Sequence, residues 1–248
     1  MSIESEQDLI GLLQIGKIVG LTLQEMQKNV QPGMTTAELD GIGAEFLQKH
    51  GARSAPQFVY GFPGTACISL NDEAAHGIPG ERIIRAGDLV KLDVTAELGG
   101  YMADAAITVA VPPVSPLKRR LCDCAKAALQ KGLAAAQAGR AINTIGRAIE
   151  KEVQRYNFAI IRELCGHGVG RTIHEEPRFV PNYYIPQVSE RLTEGLVIAI
   201  EPHISTKAAR TADSSDGWTI KTSNGSLVAN YEHTIVVTRG QPLVITAV

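Results

Sequence analysis

Apolar positions recur at helical spacing over residues 7–30, at Leu9, Ile10, Leu13, Ile18, Leu21 and Met26. Gln31-Pro32-Gly33 ends that pattern, since proline removes a backbone donor and glycine loosens the chain. Thr35, with Glu38 three residues on, has the form of a capping box and predicts a second helix that stops at Gly51. The period then changes to short β-like runs at 66–70, 88–95 and 102–111, with Gly99-Gly100 as a turn.

After the proline-rich stretch 112–116 the same plan recurs. Helical patterns cover 116–138 and 141–156 with Gly139 between them, and strand-like runs follow at 159–164, 196–201, 217–222 and 231–238. No sequence identity links the halves, so the repeat is one of architecture. The break is short and each half would be small alone. The expectation is therefore one sheet-centred α+β domain, residues 1–248, with halves of about 1–112 and 113–248.

Composition narrows the class. Hydrophobic residues make up 44% of the 248 and charged residues 20%, enough for a sizeable core. A formal charge of −2 gives no basic footprint for nucleic acid. The opening MSIESEQDLI is acidic and polar, unlike a secretory signal, and no apolar run reaches the roughly 18 residues of a membrane span. Cys67, Cys122, Cys124 and Cys165 are too scattered for a disulfide framework, and Cys122 and Cys124 point in different directions on a helix. These features predict a cytoplasmic protein with free thiols.

Four carboxylates interrupt apolar, β-like runs. Asp93 lies in KLDVT and Asp104 in the next run, while Glu201 lies in AIEPH and Glu232 in NYEHTIVV. An unpaired charge in such a setting is expensive. Any one acid taken alone reads as a structural ion pair, but four, two from each half, call for a multivalent cation. CGHGVGRTIHEEP adds His167 in a glycine-rich turn, where a lone imidazole is structural or a ligand; beside four strand-borne acids it reads as a ligand. Glycine there allows close backbone approach and positive φ. His174 is better placed as a hydrogen-bond donor to substrate, and Glu175 and Glu176 as solvated or structural residues. HGIP aims His76 from a rigid exposed turn, which by itself reads as a surface loop.

Taken together, HGIP, LDV, Y-x-A-D, CGHGVGRTIHEEP, IEP and YEHTIVVT resemble the type I methionine aminopeptidases in order and spacing over nearly the full chain. The short interval from His174 to Glu201 leaves no room for the insertion of the type II enzymes, and no zinc-finger extension is present, so the likeness is to the short bacterial form. The resemblance implies the pita-bread fold, with pseudo-twofold halves around a central antiparallel-rich sheet. It implies two divalent ions (Co, Mn, Fe, Zn or Ni): Asp93 on one, His167 and Glu201 on the other, Asp104 and Glu232 bridging. Glu201 would also serve as general base, His174 would bond the scissile carbonyl or oxyanion, and His76 the scissile amide nitrogen. Phe62, Cys67 and Trp218 match pocket positions for the methionine thioether, where sulfur–aromatic contacts help. The implied partners are peptide or nascent-protein N-termini, cleaved best before a small second residue by a monomer acting away from membranes and nucleic acid.

The chain departs from the family pattern at several places. Ala103, Ala105 and Ala106 surround Asp104 where hydroxyl residues usually follow the acid, and such losses commonly cost 10–100-fold in metal affinity or activity. Lys91 lies two from Asp93 on one strand face, where an ammonium would oppose cation binding or neutralise Asp93. Pro56 and Val59 fill pocket positions that are often Cys or Tyr, which loosens the expected selectivity. Two other readings compete: a Pro-directed peptidase of the aminopeptidase P or prolidase kind, and a metal-free pita-bread binding module.

Overall fold

Ser5 sets the start of the first helix: its hydroxyl accepts from Asp8 N–H at 3.2 Å while the Asp8 carboxylate accepts from Ser5 N–H at 3.0 Å. This capping box satisfies two of the free donors at a helix start. The computed structural model describes residues 1–248. The first half runs α1 (Glu6–Asn29), α2 (Thr36–Lys49), β1 (Arg53–Ser54), α3 (Ala55–Tyr60), β2 (Cys67–Leu70), β3 (Glu73–Ala75), β4 (Leu89–Leu98) and β5 (Tyr101–Ala110). The second runs α4 (Pro116–Ala135), α5 (Asn143–Tyr156), β6 (Ala159–Ile160), β7 (Gly166–Gly168), β8 (Glu175–Val180), β9 (Val197–Ile200) and β10 (His203–Ser205). It closes with β11 (Thr211–Asp213), β12 (Ile220–Thr222), β13 (Val228–Asn230), β14 (His233–Val236) and β15 (Leu243–Val244).

Two helices back a sheet in each half. In the first half, Leu12, Ile15 and Val19 of α1 and Leu39 of α2 pack on Leu92 and Val94 of β4 and Ala103 and Ala105 of β5. In the second, Leu121, Ala125 and Leu129 of α4 and Ile145 and Ile149 of α5 pack on Ile198, Ile200, Ile204 and Ile235. The strand pairs are antiparallel, in sheets ordered β1-β4-β2 with β5 on β4, and β15-β14-β9-β7-β8, with two smaller three-stranded sheets. The seam between the halves runs where Glu232 N–H donates to Ala106 O at 2.9 Å, beside the Thr234–Asp104 contact.

Several sequence expectations change. The run 159–164 shrinks to Ala159–Ile160, because its chain leaves the sheet after pairing with β10. His167 sits in strand β7 rather than in a turn, between β8 and β9. Its neighbours Gly166 and Gly168 serve close approach, since a Cβ on them would collide with the carbonyl oxygens of Ala199 and Glu176; of the three glycines only Gly170, with φ +146°, takes the left-handed side. Helix α3 had no counterpart in the periodicity, being too short, though its signals are present: Ser54 as cap, Pro56 near the start and left-handed Gly61 as stop. Helix α1 is long and apolar enough to cross a membrane, contrary to the sequence expectation, but its buried stripe lies in the first-half core.

Gly146 gives a clean test of packing against propensity. In a helix interior Ala is better than Gly by about 1 kcal/mol, yet a Cβ here would meet the backbone oxygens of Tyr183 and Pro181. Overpacking against atoms that cannot rotate away costs about 1–3 kcal/mol, so the contact wins. Gly146→Ala is expected to lower the unfolding free energy by about 1 kcal/mol or more, read as a lower urea midpoint at unchanged slope; a raised midpoint would show that the carbonyls yield.

Candidate metal centre and cleft

Register places the first two acids. Asp93 on β4 stands opposite Ala106 and Asp104 on β5 opposite Thr95, so the two carboxylates are diagonal neighbours on one sheet face. Ala106, on the same face, leaves room between them. Ala103 and Ala105 point the other way into the first-half core. A hydroxyl at 105 would therefore face Leu92 and Val94, not the site, and the concern over lost hydroxyls reduces to Ala106. The Asp104 backbone is held instead by Thr234, whose Oγ1 accepts from Asp104 N–H at 2.9 Å and donates to Asp104 O at 2.7 Å.

The second half brings the other ligand candidates to this face. His167 Nδ1–H donates to Gly168 O at 3.0 Å, leaving the Nε2 lone pair directed at acids. Nε2 is 3.4 Å from Glu201 Oε1 and 3.7 Å from Asp104 Oδ2. Ligand atoms of Asp104, His167 and Glu232 all lie within 4.8 Å of one another. These three are buried, while Asp93 and Glu201 keep part of their surface open to the cleft. Glu201 is steadied from behind: Asn182 Nδ2 and His203 Nδ1–H donate to its carbonyl oxygen at 3.1 and 2.9 Å.

The electrostatics of the cluster are unfavourable without a cation. Burial pushes the carboxyls of Asp93, Glu201 and Glu232 well above the usual carboxylate range, and the negative charge of Asp104 pushes each further. Asp104 Oδ1 and Glu232 Oε1 are buried without any hydrogen-bond partner. Buried polar atoms are nearly always partnered, so two orphaned carboxylate oxygens beside a bare imidazole nitrogen form a site that fits a divalent metal. Lys91 does not relieve the charge: its ammonium donates to Asn71 O at 3.2 Å and Val228 O at 3.3 Å and forms no ion pair with Asp93. Burial pushes it down to about 7. The sequence expectation that it neutralises Asp93 is corrected, because the loop at Asn71 and strand β13 offer nearer acceptors.

A cavity of about 530 Å³ opens over this floor, and all ten site residues named from the sequence line it: Phe62, Cys67, His76, Asp93, Asp104, His167, His174, Glu201, Trp218 and Glu232. Each wall is held by the backbone. The Asp40 carboxylate accepts from Thr65 N–H and Ala66 N–H at 2.9 and 2.8 Å, fixing the chain before Cys67. Asp216 accepts from Trp218 N–H and Thr219 N–H at 2.9 and 2.8 Å, and the Trp218 ring meets Phe62 edge-on at 5.2 Å. His76 takes φ +53°, an uncommon backbone for a residue with a side chain. Thr219 Oγ1 donates to its carbonyl at 3.4 Å, and burial of the ring lowers its pKa. His174, open to the cleft, is lowered to about 4 by partial desolvation and by the neighbouring His167. Cys67 is buried and burial keeps it a thiol, an apolar wall beside Asp93.

Sequence reasoning missed Tyr60, Thr95, Cys165, Ile173, Arg178 and His203, which also line the cavity. Pro56 lines it as expected, but Val59 is 40% exposed outside the lining and Tyr60 takes its place. Glu175 and Glu176 stay off the centre: Glu175 bonds the Met1 amine at 3.1 Å and Arg171 N–H at 2.8 Å, and Glu176 pairs with Arg178.

The profile of metallopeptidase family M24 matches residues 11–239. The chain belongs to metallopeptidase family M24. It is 47% identical over 247 residues to methionine aminopeptidase 2 of Bacillus subtilis, covering 99% of each chain. The crystal structure of methionine aminopeptidase from Thermotoga maritima is similar at a TM-score of 0.96 and 31% identity, covering 100% of both chains. Prolidase from Pyrococcus furiosus matches at a TM-score of 0.80 and 19% identity, with this chain covering 65% of that one, a likeness of fold alone. Mixed α/β structure with antiparallel sheets, the pita-bread architecture, is thus common to this M24 chain and its relatives. The family is one of metal-dependent hydrolases, and divalent metal suits the donor set of Asp104, His167 and Glu232.

Because the three carboxyls are raised, they hold protons in the metal-free M24 chain at pH values where the unfolded chain has lost them. Its stability therefore falls as pH rises from the unfolded carboxylate pKa, about 4, through the raised folded values. Metal binding expels the protons that these raised carboxyls retain. Titration calorimetry with Mn²⁺ in buffers of different ionisation enthalpy should show net proton release; release of none would contradict the electrostatics above.

Proposed function

We propose that the chain is a methionyl aminopeptidase that removes the initiator methionine from nascent proteins, preferring a small second residue. The observation that carries this is a single cavity with an acid-and-imidazole floor and a wall of Phe62, Cys67 and Trp218 suited to an unbranched thioether. In this reading Asp93, Asp104, His167, Glu201 and Glu232 would hold two divalent ions. When bound, the ions supply Lewis-acid polarisation of a carbonyl and lower the pKa of a water to near neutrality.

The chain's own groups do the rest. His174 donates a hydrogen bond to the scissile carbonyl oxygen as negative charge builds there, and His76 contacts the scissile amide nitrogen. Glu201 takes up the proton of the attacking water and passes it toward the leaving amine. The apolar wall excludes water around the methionine side chain and favours its sulfur over an isosteric methylene. The chain works as one catalytic domain of two halves, since the floor draws acids from both. It would act as a cytoplasmic monomer; the net charge of −2 gives no basic footprint for nucleic acid, and α1 is packed into the core.

The Pro-directed alternative is supported only by fold likeness, and the binding-module alternative is disfavoured by the presence of all five ligand candidates. Chain stripped by chelator and reloaded with Mn²⁺ or Co²⁺ should cleave Met-Ala-Ser and leave Ala-Pro-Ser intact; the opposite preference, or no cleavage with any metal, would overturn the reading. His174→Ala should lower kcat about 10²–10³-fold, the loss typical of one donor to a developing oxyanion, with metal content unchanged.

A further inference from the structure

The His174 ring is exposed to the cleft, yet one of its nitrogens is engaged. Tyr60 Oη lies 2.7 Å from His174 Nδ1, with the two rings 5.7 Å apart and tilted by 36°. The His174 ring also approaches that of His167, centroid to centroid at 4.3 Å. Tyr60 is the last residue of α3, whose Ser54 cap and Gly61 stop fix where its side chain leaves the helix. Two residues further on, Phe62 is locked against Trp218. Tyr60 is therefore carried on a short rigid turn between the pocket wall and His174.

We propose that Tyr60 is a positioning residue for turnover: its hydroxyl donates to His174 Nδ1 and so fixes His174 as the tautomer whose Nε2–H faces the scissile carbonyl. This rests on the reading of His174 as the carbonyl donor. A neutral imidazole has one N–H and one lone pair. Without a donor at Nδ1 the proton is free to sit there, and Nε2 would then present its lone pair to the substrate oxygen, which repels it. A hydroxyl that donates to Nδ1 removes that option, just as Gly168 O fixes the opposite tautomer of His167 by accepting from its Nδ1–H. Tyr60 Oη has no other hydrogen-bond partner, and a phenol keeps its proton through the neutral range, so it can donate. The two neighbouring histidines are thus set in opposite tautomers, His167 with a bare Nε2 toward the acids and His174 with a protonated Nε2 toward substrate.

Long-range ¹H–¹⁵N correlation of the histidine rings reads the tautomer directly, with His174 assigned by its loss in His174→Gln. The expected result is bare Nδ1 and protonated Nε2 at His174 in the wild type, and a mixture of tautomers in Tyr60→Phe. In metal-loaded enzyme Tyr60→Phe should lower kcat for Met-Ala-Ser by about 3–10-fold, the weight of one neutral hydrogen bond, with KM nearly unchanged. A wild-type His174 carrying its proton on Nδ1, a tautomer unmoved by Tyr60→Phe, or a loss confined to KM would each overturn the proposal. If His174→Ala leaves kcat unchanged, the carbonyl-donor reading falls, and with it the effect on turnover. The ring spectra still decide separately whether Tyr60 sets the tautomer.

Discussion

Like charges in a shared, partly dry space repel, and the centre of this molecule is built on that repulsion. Asp93 and Asp104 come from the first half, Glu201 and Glu232 from the second, and their carboxyls converge with His167 on one cavity floor. Burial makes the charged forms costly, and no lysine or arginine forms an ion pair with these acids; the buried Lys91 bonds to carbonyls instead. A fold that assembles such a cluster is stable at neutral pH only with protons or metal ions to occupy it. Everything around the floor makes sense as a device to hold the acids in place against their own repulsion.

Those devices are mostly backbone. Thr234 ties the Asp104 peptide from both sides, Ala106 O holds the amide of Glu232, and Asn182 with His203 holds the carbonyl of Glu201. By using main-chain partners, the structure leaves the carboxylate oxygens themselves unengaged, as ligands must be. The glycines beside His167 let three strands approach closely enough to aim its ring at the floor. The two helix layers then serve as stiff backing for the sheets whose registers set the geometry.

The acids were legible in the sequence because each breaks an apolar β-like run, a contrast that burial makes conspicuous. The long helices and strands β4, β5, β9 and β14 were legible from period and turn residues. Strands of two or three residues, such as β3, β10 and β13, were not, since no periodicity can register over so short a span. The facing of Ala105 against Ala106 follows from alternation once Tyr101–Ala110 is one unbroken strand, whereas the direction of Lys91 depends on a loop far off in sequence, so local pattern could not decide it. Tyr60 was missed for a related reason: an exposed aromatic at the end of a six-residue helix looks like surface until His174 is seen beside it.

The central claim is that the repulsion between these acids is relieved by divalent metal. Crystals of the Mn²⁺-loaded chain, measured above and below the manganese absorption edge, test it most directly. The account predicts anomalous density at direct coordination distance from oxygens of Asp104 and Glu232 and from His167 Nε2. A map with no peak on that floor, at full Mn²⁺ occupancy elsewhere in the crystal, would contradict it.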